Sequence, residues 1–189
     1  VDYYKLENTD FNYVVIDAMF RQVNEDTAIP FKKHSVPGKV LAYEYDLGRI
    51  GVAYQDNDFQ NLWVSDPNKR SDWNSGNKLR NDGVDIYQGK DTYYVGKTEA
   101  GEWLQYTINV SKAKKHHFTI KYANASTPST IEIQTSEGKV LGAMTLDSTN
   151  GLENWKEVTL KNIPLAEGEN PIRIIFKDGN INFHSFEIK

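Results

Sequence analysis

Carboxylates and imidazoles are the side chains of this sequence that are best suited to catalysis. Hydrolysis by a pair of carboxylates needs two of them facing each other across a gap of substrate size. Asp56, Asp58 and Asp82 stand in turn-like sequence, where Asp is common because it bonds to the backbone. No spacing singles out a pair among the acidic candidates, which are Glu44, Asp56, Asp58, Asp82, Asp85, Glu102 and Glu153. The carboxylates therefore predict no catalytic site.

The histidines do not form a metal-binding pattern. His116 and His117 are neighbours in a predicted strand, so their side chains point to opposite faces and do not readily share a metal ion. The other two, His34 and His184, stand alone. The sequence contains no H-E-x-x-H, no G-x-S-x-G and no glycine-rich phosphate loop. Because it also lacks cysteine, it has no thiolate nucleophile and no disulfide, and we predict a non-catalytic chain.

Aromatic side chains offer non-covalent chemistry instead, since an indole can stack on the apolar face of a sugar ring while polar neighbours bond to its hydroxyls. Trp63 and Trp73 lie in a long polar segment between residues 56 and 79. Such long loops are usually functional or disordered. We interpret both residues as candidate ligand contacts, although a Trp can equally pin a long loop to the core. Trp103 and Trp155 accompany predicted strands, and we expect them to pack in the framework.

The elements that must position these residues are predicted to be strands. From residue 39 onward, short alternating segments recur about every 8–12 residues without intervening helices, which is typical of a β-sandwich or barrel. The clearest is GEWLQYTINV, residues 101–110. Its apolar residues share one face that should line a core: Leu104, Tyr106, Ile108 and Val110. We predict an all-β, jelly-roll β-sandwich of roughly ten strands.

The N-terminal part follows a different pattern. Between Phe11 and Val23 the apolar residues recur at three- and four-residue spacing, and we predict that residues 1–25 form one helix. Two prolines and a glycine then predict an extended linker over residues 26–38. We divide the chain into a helix with its linker, residues 1–35, and a β-sandwich module, residues 36–189. The apolar face of the helix needs a partner, either the sandwich or a preceding domain.

Charge and hydropathy restrict the possible partners. The 189 residues suit one domain, and they carry a net charge of −4 with no basic block, so we expect no nucleic-acid partner. No apolar run approaches the roughly 18 residues that a membrane span needs. Because residue 1 is Val rather than Met, we expect the chain to derive from a longer product.

Several motifs follow one another in a specific order along residues 36–189. They include RNDGVDI (80–86), VGKTEAGEWLQYTINV (95–110), TNGLENW (149–155) and the closing INFHSFEI (181–188). In this order they resemble the carbohydrate-binding modules of family 6. The resemblance implies a jelly-roll sandwich that binds a plant or algal polysaccharide and is attached to a glycoside hydrolase in an extracellular or cell-surface protein. It also implies that residues 1–35 are the end of a catalytic domain and its linker.

The same resemblance implies a ligand cleft at the loop end of the sandwich. Asn182 matches the sugar-bonding Asn of the family, whereas Leu79 and Leu152 stand where its members often have Tyr and Trp. Trp63 or Trp73 could replace that aromatic platform, or binding could use the concave face of one sheet. The remaining alternative is a structural interdomain scaffold that has lost sugar binding.

Members of the family bind a structural calcium ion, and it is the one cofactor that the resemblance requires us to consider. Members commonly have E-A-E where this chain has Leu41, Ala42 and Tyr43, and an Asp or Asn where it has His184. Ca²⁺ needs oxygen ligands, and a leucine side chain supplies none. We therefore expect this calcium site to be absent, and we expect no other cofactor.

Overall fold

A computed structural model describes residues 26–57, 75–76, 78–80, 82–125 and 127–189. Within these ranges the chain forms twelve strands in two packed sheets, which confirms the predicted all-β sandwich. The predicted helix in residues 1–25 and the two loop tryptophans, Trp63 and Trp73, lie outside the described residues. In the described part, no helix is long and apolar enough to cross a membrane.

Each sheet contains six strands. In chain order the strands are β1 (His34–Val36), β2 (Gly38–Leu41), β3 (Tyr54–Gln55), β4 (Ile86–Gln88), β5 (Tyr93–Val95), β6 (Glu102–Val110), β7 (Lys114–Asn124), β8 (Ser129–Thr135), β9 (Val140–Leu146), β10 (Lys156–Leu165), β11 (Gly168–Phe176) and β12 (Ile181–Ile188). The first sheet has the order β1-β6-β11-β8-β9, with β3 also paired to β6. The second has the order β10-β7-β12-β5-β4, with β2 also paired to β12.

The core lies between the two sheets and follows the alternation that the sequence predicted. All four apolar residues of the predicted β6 face are buried: Leu104, Tyr106, Ile108 and Val110. Tyr106 meets Phe186 of the opposite sheet edge to face, with ring centroids 5.0 Å apart. Full burial of a large apolar side chain stabilises a fold by about 1.5–3 kcal/mol, so this face fixes the position of β6 against the second sheet.

The segment predicted as an extended linker is extended, and it is also built into the sandwich. Ile29 and Leu47 exchange two backbone hydrogen bonds of 2.8 and 2.7 Å. Strand β1 pairs with β6 in parallel, His34 opposite Ile108, and Val36 is buried in the core. Residues 28–36 therefore pack with the module, because their apolar side chains complete its edge. The boundary between residues 35 and 36 stays a prediction.

The charged residues Arg80 and Asp82 of the RNDGVDI motif make structural contacts within the fold. The Arg80 guanidinium lies 3.8 Å from the centroid of the Tyr45 ring and donates hydrogen bonds to the carbonyls of Tyr45 and Asp46, at 2.6 and 3.1 Å. Its Nε atom also lies 3.2 Å from the carboxylate of Asp82, which accepts a hydrogen bond from the Tyr45 hydroxyl. These contacts hold the loop that leads into β4.

Candidate functional site

The hairpin of β4 and β5 builds a platform of two tyrosine rings. Tyr87 and Tyr94 are cross-strand partners, and opposite residues of an antiparallel pair share one face. Their rings are stacked, with centroids 5.7 Å apart and planes 20° apart. Both side chains are partly exposed, while their neighbours Ile86 and Val95 are buried. The hairpin therefore directs two adjacent aromatic side chains away from the core.

Trp155 and His184 extend this platform into a row of four rings. Trp155 meets Tyr94 edge to face at 5.3 Å, and His184 meets Trp155 edge to face at 5.1 Å. We call Tyr87, Tyr94, Trp155 and His184 the aromatic row. The framework position expected for Trp155 is wrong: the residue precedes β10 and is only partly buried. Its indole lies over the outer face of the second sheet, against Tyr94.

The asparagine groove is a depression of about 440 Å³ at the Tyr87 end of the aromatic row. Its size falls within the range of small-ligand sites. It is lined by Tyr87, Tyr94, Lys97, Ala125, Leu152, Glu153, Asn180 and Asn182. The structure thus brings together two residues of the predicted cleft, since the Asn182 amide donates a hydrogen bond of 2.7 Å to the carbonyl of Leu152. The Leu152 side chain is 46% exposed at the rim.

Leu79 does not line the asparagine groove. Its side chain is 55% exposed, and its backbone has a φ of 58°, a conformation that a leucine rarely adopts. The neighbouring Arg80 holds this stretch against Tyr45. Trp63 and Trp73, which fall outside the described residues, stay predictions.

Gly96 allows the two sides of the asparagine groove to approach each other. A Cβ atom at this position would lie 2.9 Å from the Oδ1 atom of Asn182 and 2.9 Å from the Cδ2 atom of Tyr87. Such distances are shorter than normal packing allows, so only glycine fits without a shift of a neighbour. Gly96 therefore sets the spacing between the tyrosine platform and the Asn182 amide.

The lysine groove is a second depression, of about 300 Å³, on the other side of Tyr94. It lies on the outer face of the second sheet and is lined by residues 88–92, Tyr94, Lys121, Glu153, Trp155 and His184. Because Tyr94 and Glu153 line both depressions, the two grooves adjoin along the aromatic row. An elongated ligand could therefore contact both.

Tyr94 and His184 are uncharged near neutral pH. Burial raises the pKa of Tyr94, and the Glu153 carboxylate and Tyr87 raise it further. Burial lowers the pKa of His184 to about 4, and the ammonium groups of Lys121 and Lys39 add to this effect. The row therefore offers aromatic faces beside neutral hydroxyl and imidazole groups, which suits reversible binding of a polyhydroxylated ligand.

The buried acidic residues serve the fold. The Glu102 carboxylate accepts the backbone N–H groups of Asn57 and Glu99, at 2.9 and 2.8 Å, and burial raises its pKa. Asp82 is engaged by Arg80 and Tyr45. Neither carboxylate lines a groove of the aromatic row, whereas the exposed Glu153 lines both grooves.

The residues at the family calcium position do not fit a calcium ion. Leu41 has no side-chain oxygen, and the nearby Glu44 carboxylate pairs with the Lys32 ammonium and accepts the Leu41 backbone N–H at 3.0 Å. His184 contacts Trp155 and the Ser185 hydroxyl. In the described part of the chain, no three His, Asp or Glu side chains are arranged to hold a metal ion.

Five residues of this surface were not predicted from sequence to be site residues: Tyr87, Tyr94, Lys121, Trp155 and His184. The spacing IYQGKDTYYV does contain a hairpin signal, because two short apolar strands flank a turn with Gly89. Pairing across that turn places Tyr87 opposite Tyr94. The approach of Lys121 and His184 depends on the pairing of β7 with β12, which has no local signal.

Comparison with known proteins gives a family match over most of the module. The family model for "Carbohydrate binding module (family 6)" matches residues 72–189. No curated protein is similar enough to this chain to match it in sequence. Among solved structures, the module CsCBM6-3 from Clostridium stercorarium in complex with cellobiose has a TM-score of 0.61 and 17% identity, over 84% of this chain and 97% of that chain.

Two further structures have the same fold. A β-1,3-glucan-binding family 6 module from Bacillus halodurans has a TM-score of 0.55 and 17% identity, over 84% of this chain and 99% of that chain. An arabinoxylan arabinofuranohydrolase of glycoside hydrolase family 43 from Bacillus subtilis, in complex with cellotetraose, has a TM-score of 0.54 and 15% identity. The match covers 84% of this chain but 28% of that enzyme.

Proposed function

The chain belongs to family 6 of the carbohydrate-binding modules, a family of non-catalytic binding modules, and on this premise we propose that it binds a polysaccharide chain along its aromatic row. The observation that carries the proposal is the continuity of the row: four partly exposed rings, each 5–6 Å from the next, border two adjoining grooves. Family membership alone would leave the position of the ligand open.

The proposed contacts divide the work between stacking and hydrogen bonding. Tyr87 and Tyr94 present flat apolar surface to sugar rings. In the asparagine groove, sugar hydroxyls would bond to Asn182, which matches the sugar-bonding Asn of the family, and to the hydroxyl of Tyr94. The tyrosine platform would thus provide the stacking surface that other family members obtain from a Tyr and a Trp at the positions of Leu79 and Leu152. The cellobiose complex of the Clostridium stercorarium module supports an oligosaccharide as the class of ligand.

We further propose that the module has no catalytic activity of its own and holds an attached glycoside hydrolase on a plant or algal polysaccharide outside the cell. The similarity to part of a family 43 enzyme supports such an attachment. Weak binding would suffice, because tethering raises the effective concentration of the enzyme at its substrate. In the enzyme that carries this module, Trp155→Ala should lower activity on insoluble polysaccharide while activity on soluble oligosaccharides stays unchanged.

Affinity electrophoresis tests glycan binding. The chain should be retarded by at least one of xylan, mixed-linkage β-glucan, mannan and agarose, and Tyr94→Ala should abolish that retardation. Trp63→Ala and Trp73→Ala test whether the two loop tryptophans add to the same site. If no polysaccharide retards the chain, the proposal fails and the scaffold alternative takes its place.

A further inference from the structure

The lysine groove contains a cation, Lys121, that forms no ion pair with the residues that the structure describes. The Lys121 ammonium lies 5.9 Å from the centroid of the Trp155 ring and lines the groove. The ammonium of Lys121 therefore lies on the Trp155 side of the groove.

The acidic groups around Lys121 leave this position positive. Glu157 is its cross-strand partner on β10 but forms no ion pair with it. Glu153 lies at the Tyr94 end, where it acts on the tyrosine hydroxyl. Asp91 lines the groove together with Lys90. Among these groups, Glu153 lies near Tyr94, and Lys121 lies near Trp155 and His184, where Asp91 also acts.

The lowered pKa of His184 indicates which charged groups lie close to this imidazole. After burial, the largest effects on this imidazole come from the positive charges of Lys121 and then Lys39, and the opposing effect of Asp91 is smaller. Lys39 lies on β2, where its cross-strand partner Glu187 already pairs with Lys189. An anionic ligand at this end would therefore meet a net positive potential.

We propose that the lysine groove selects acidic glycans, binding a carboxylate or sulfate ester of a sugar through the ammonium of Lys121 beside Trp155. This inference rests on the proposed function, since it takes the glycan to lie along the aromatic row. The overall charge of −4 opposes the approach of a polyanion, so any preference for one must come from a local cationic site. Neutral glycans would use the asparagine groove without this additional contact.

Calorimetry with two matched pairs of oligosaccharides tests the inference. The first pair is an oligogalacturonate and its neutral methyl ester, and the second is a sulfated galactan oligosaccharide and its unsulfated counterpart. At low ionic strength the acidic member of at least one pair should bind about fivefold tighter, as expected for one partly exposed ionic contact. Preference in only the first pair identifies a carboxylate ligand, and preference in only the second identifies a sulfate ester.

Variants assign that preference to Lys121. Lys121→Met should abolish it, Lys121→Arg should retain it, and the matched charge change Lys112→Met, in the turn before β7 and outside the lysine groove, should leave it intact. Salt should weaken it, because exposed charges are screened. Equal binding of acidic and neutral members, or an equal loss in Lys112→Met, overturns the inference but leaves the proposed function standing. Failure of every glycan to bind overturns both.

Discussion

At the scale of single residues, Asn182 connects the groove to the fold. Its side chain is nearly buried, with 5% exposure, and its amide hydrogen bond to Leu152 joins β12 to the turn at residues 149–154. The same amide faces the space beside Tyr87 that Gly96 keeps open. A polar side chain in this position must keep its partner, because an unpaired buried polar group costs free energy.

Replacing Asn182 should therefore affect stability and affinity together. We expect Asn182→Ala to lower the free energy of unfolding by about 1–3 kcal/mol and to weaken glycan binding in calorimetry. Asn154→Ala is the matched control, since it removes an exposed hydrogen bond to the Asn150 carbonyl and should change stability by less than half as much. An unchanged affinity in Asn182→Ala would remove this residue from the binding site.

His184 should make the fold less stable in mild acid. Its folded pKa of about 4 lies below the ordinary imidazole value of about 6.5. Between these values the unfolded chain binds a proton that the folded chain does not, so the free energy of unfolding falls as the pH is lowered from about 6.5 to 4. His184→Gln should reduce that slope, as followed by urea unfolding at several pH values.

Nuclear magnetic resonance titration of His184 checks the cause of this shift. Lys121→Met should raise the pKa of the imidazole, because the Lys121 ammonium is the largest of the charge effects on it. Lys112→Met should leave the titration unchanged. A wild-type pKa near 6.5 would contradict both the burial of the ring and its position beside Lys121.

At the scale of elements, the β4–β5 hairpin determines where the aromatic row begins. Its register places Tyr87 against Tyr94, and Gly96 follows directly after β5. Gly142 offers a comparison away from the groove: a Cβ atom there would lie 2.6 Å from Ile163 and 2.7 Å from Leu160, where β9 meets β10 of the opposite sheet.

The two glycines should differ in their effect on binding. Gly96→Ala should weaken glycan binding and lower the Tm, since the added Cβ would displace the Tyr87 ring or the buried, hydrogen-bonded Asn182 side chain. Gly142→Ala meets the ends of the Ile163 and Leu160 side chains, so it should cost at most about 1–3 kcal/mol of unfolding free energy and leave the affinity unchanged at temperatures where the protein is folded. Calorimetry and thermal melts of both variants make the comparison, and an affinity loss in Gly142→Ala but not in Gly96→Ala would contradict the groove geometry.

The difference between β6 and the aromatic row explains how much the sequence could predict. Apolar and polar residues alternate along β6, so Leu104 and Tyr106 could be assigned to the core from the local sequence alone. Tyr87 and Tyr94 become a platform by pairing across a turn that the sequence does signal, whereas Trp155 meets His184 only because β10, β7 and β12 are neighbours in one sheet. Such contacts between distant parts of the chain carry no local signal.

At the scale of the whole molecule, both sheets pack against the core, and we propose that the outer face of the second sheet binds the ligand. The first sheet closes the core, and residues 28–36 complete its edge through β1. The second sheet supplies the outer face that bears the aromatic row. The N-terminal segment is joined to the sandwich by backbone pairing and by the contact of Lys32 with Glu44.

We therefore propose that stability is independent of calcium. Addition of a chelator should leave the Tm unchanged, and added Ca²⁺ should not raise it, because Leu41 and His184 replace the oxygen ligands of the family position. Thermal melts with the chelator and with excess Ca²⁺ make the measurement. A decrease of several degrees on chelation would mean that other residues of the chain hold the ion.

The central claim is that a glycan lies along the aromatic row of the second sheet. The most direct test is calorimetric titration of the best-retarded glycan into the wild type, Trp155→Ala and Trp103→Ala. Trp103 is the matched control, a partly exposed Trp of the first sheet that stacks on the Arg173 guanidinium at 3.9 Å. We predict that Trp155→Ala weakens binding about tenfold, in line with the loss of one aromatic stacking contact, while Trp103→Ala binds as the wild type does. Unchanged affinity in Trp155→Ala, or an equal loss in Trp103→Ala, would contradict the claim.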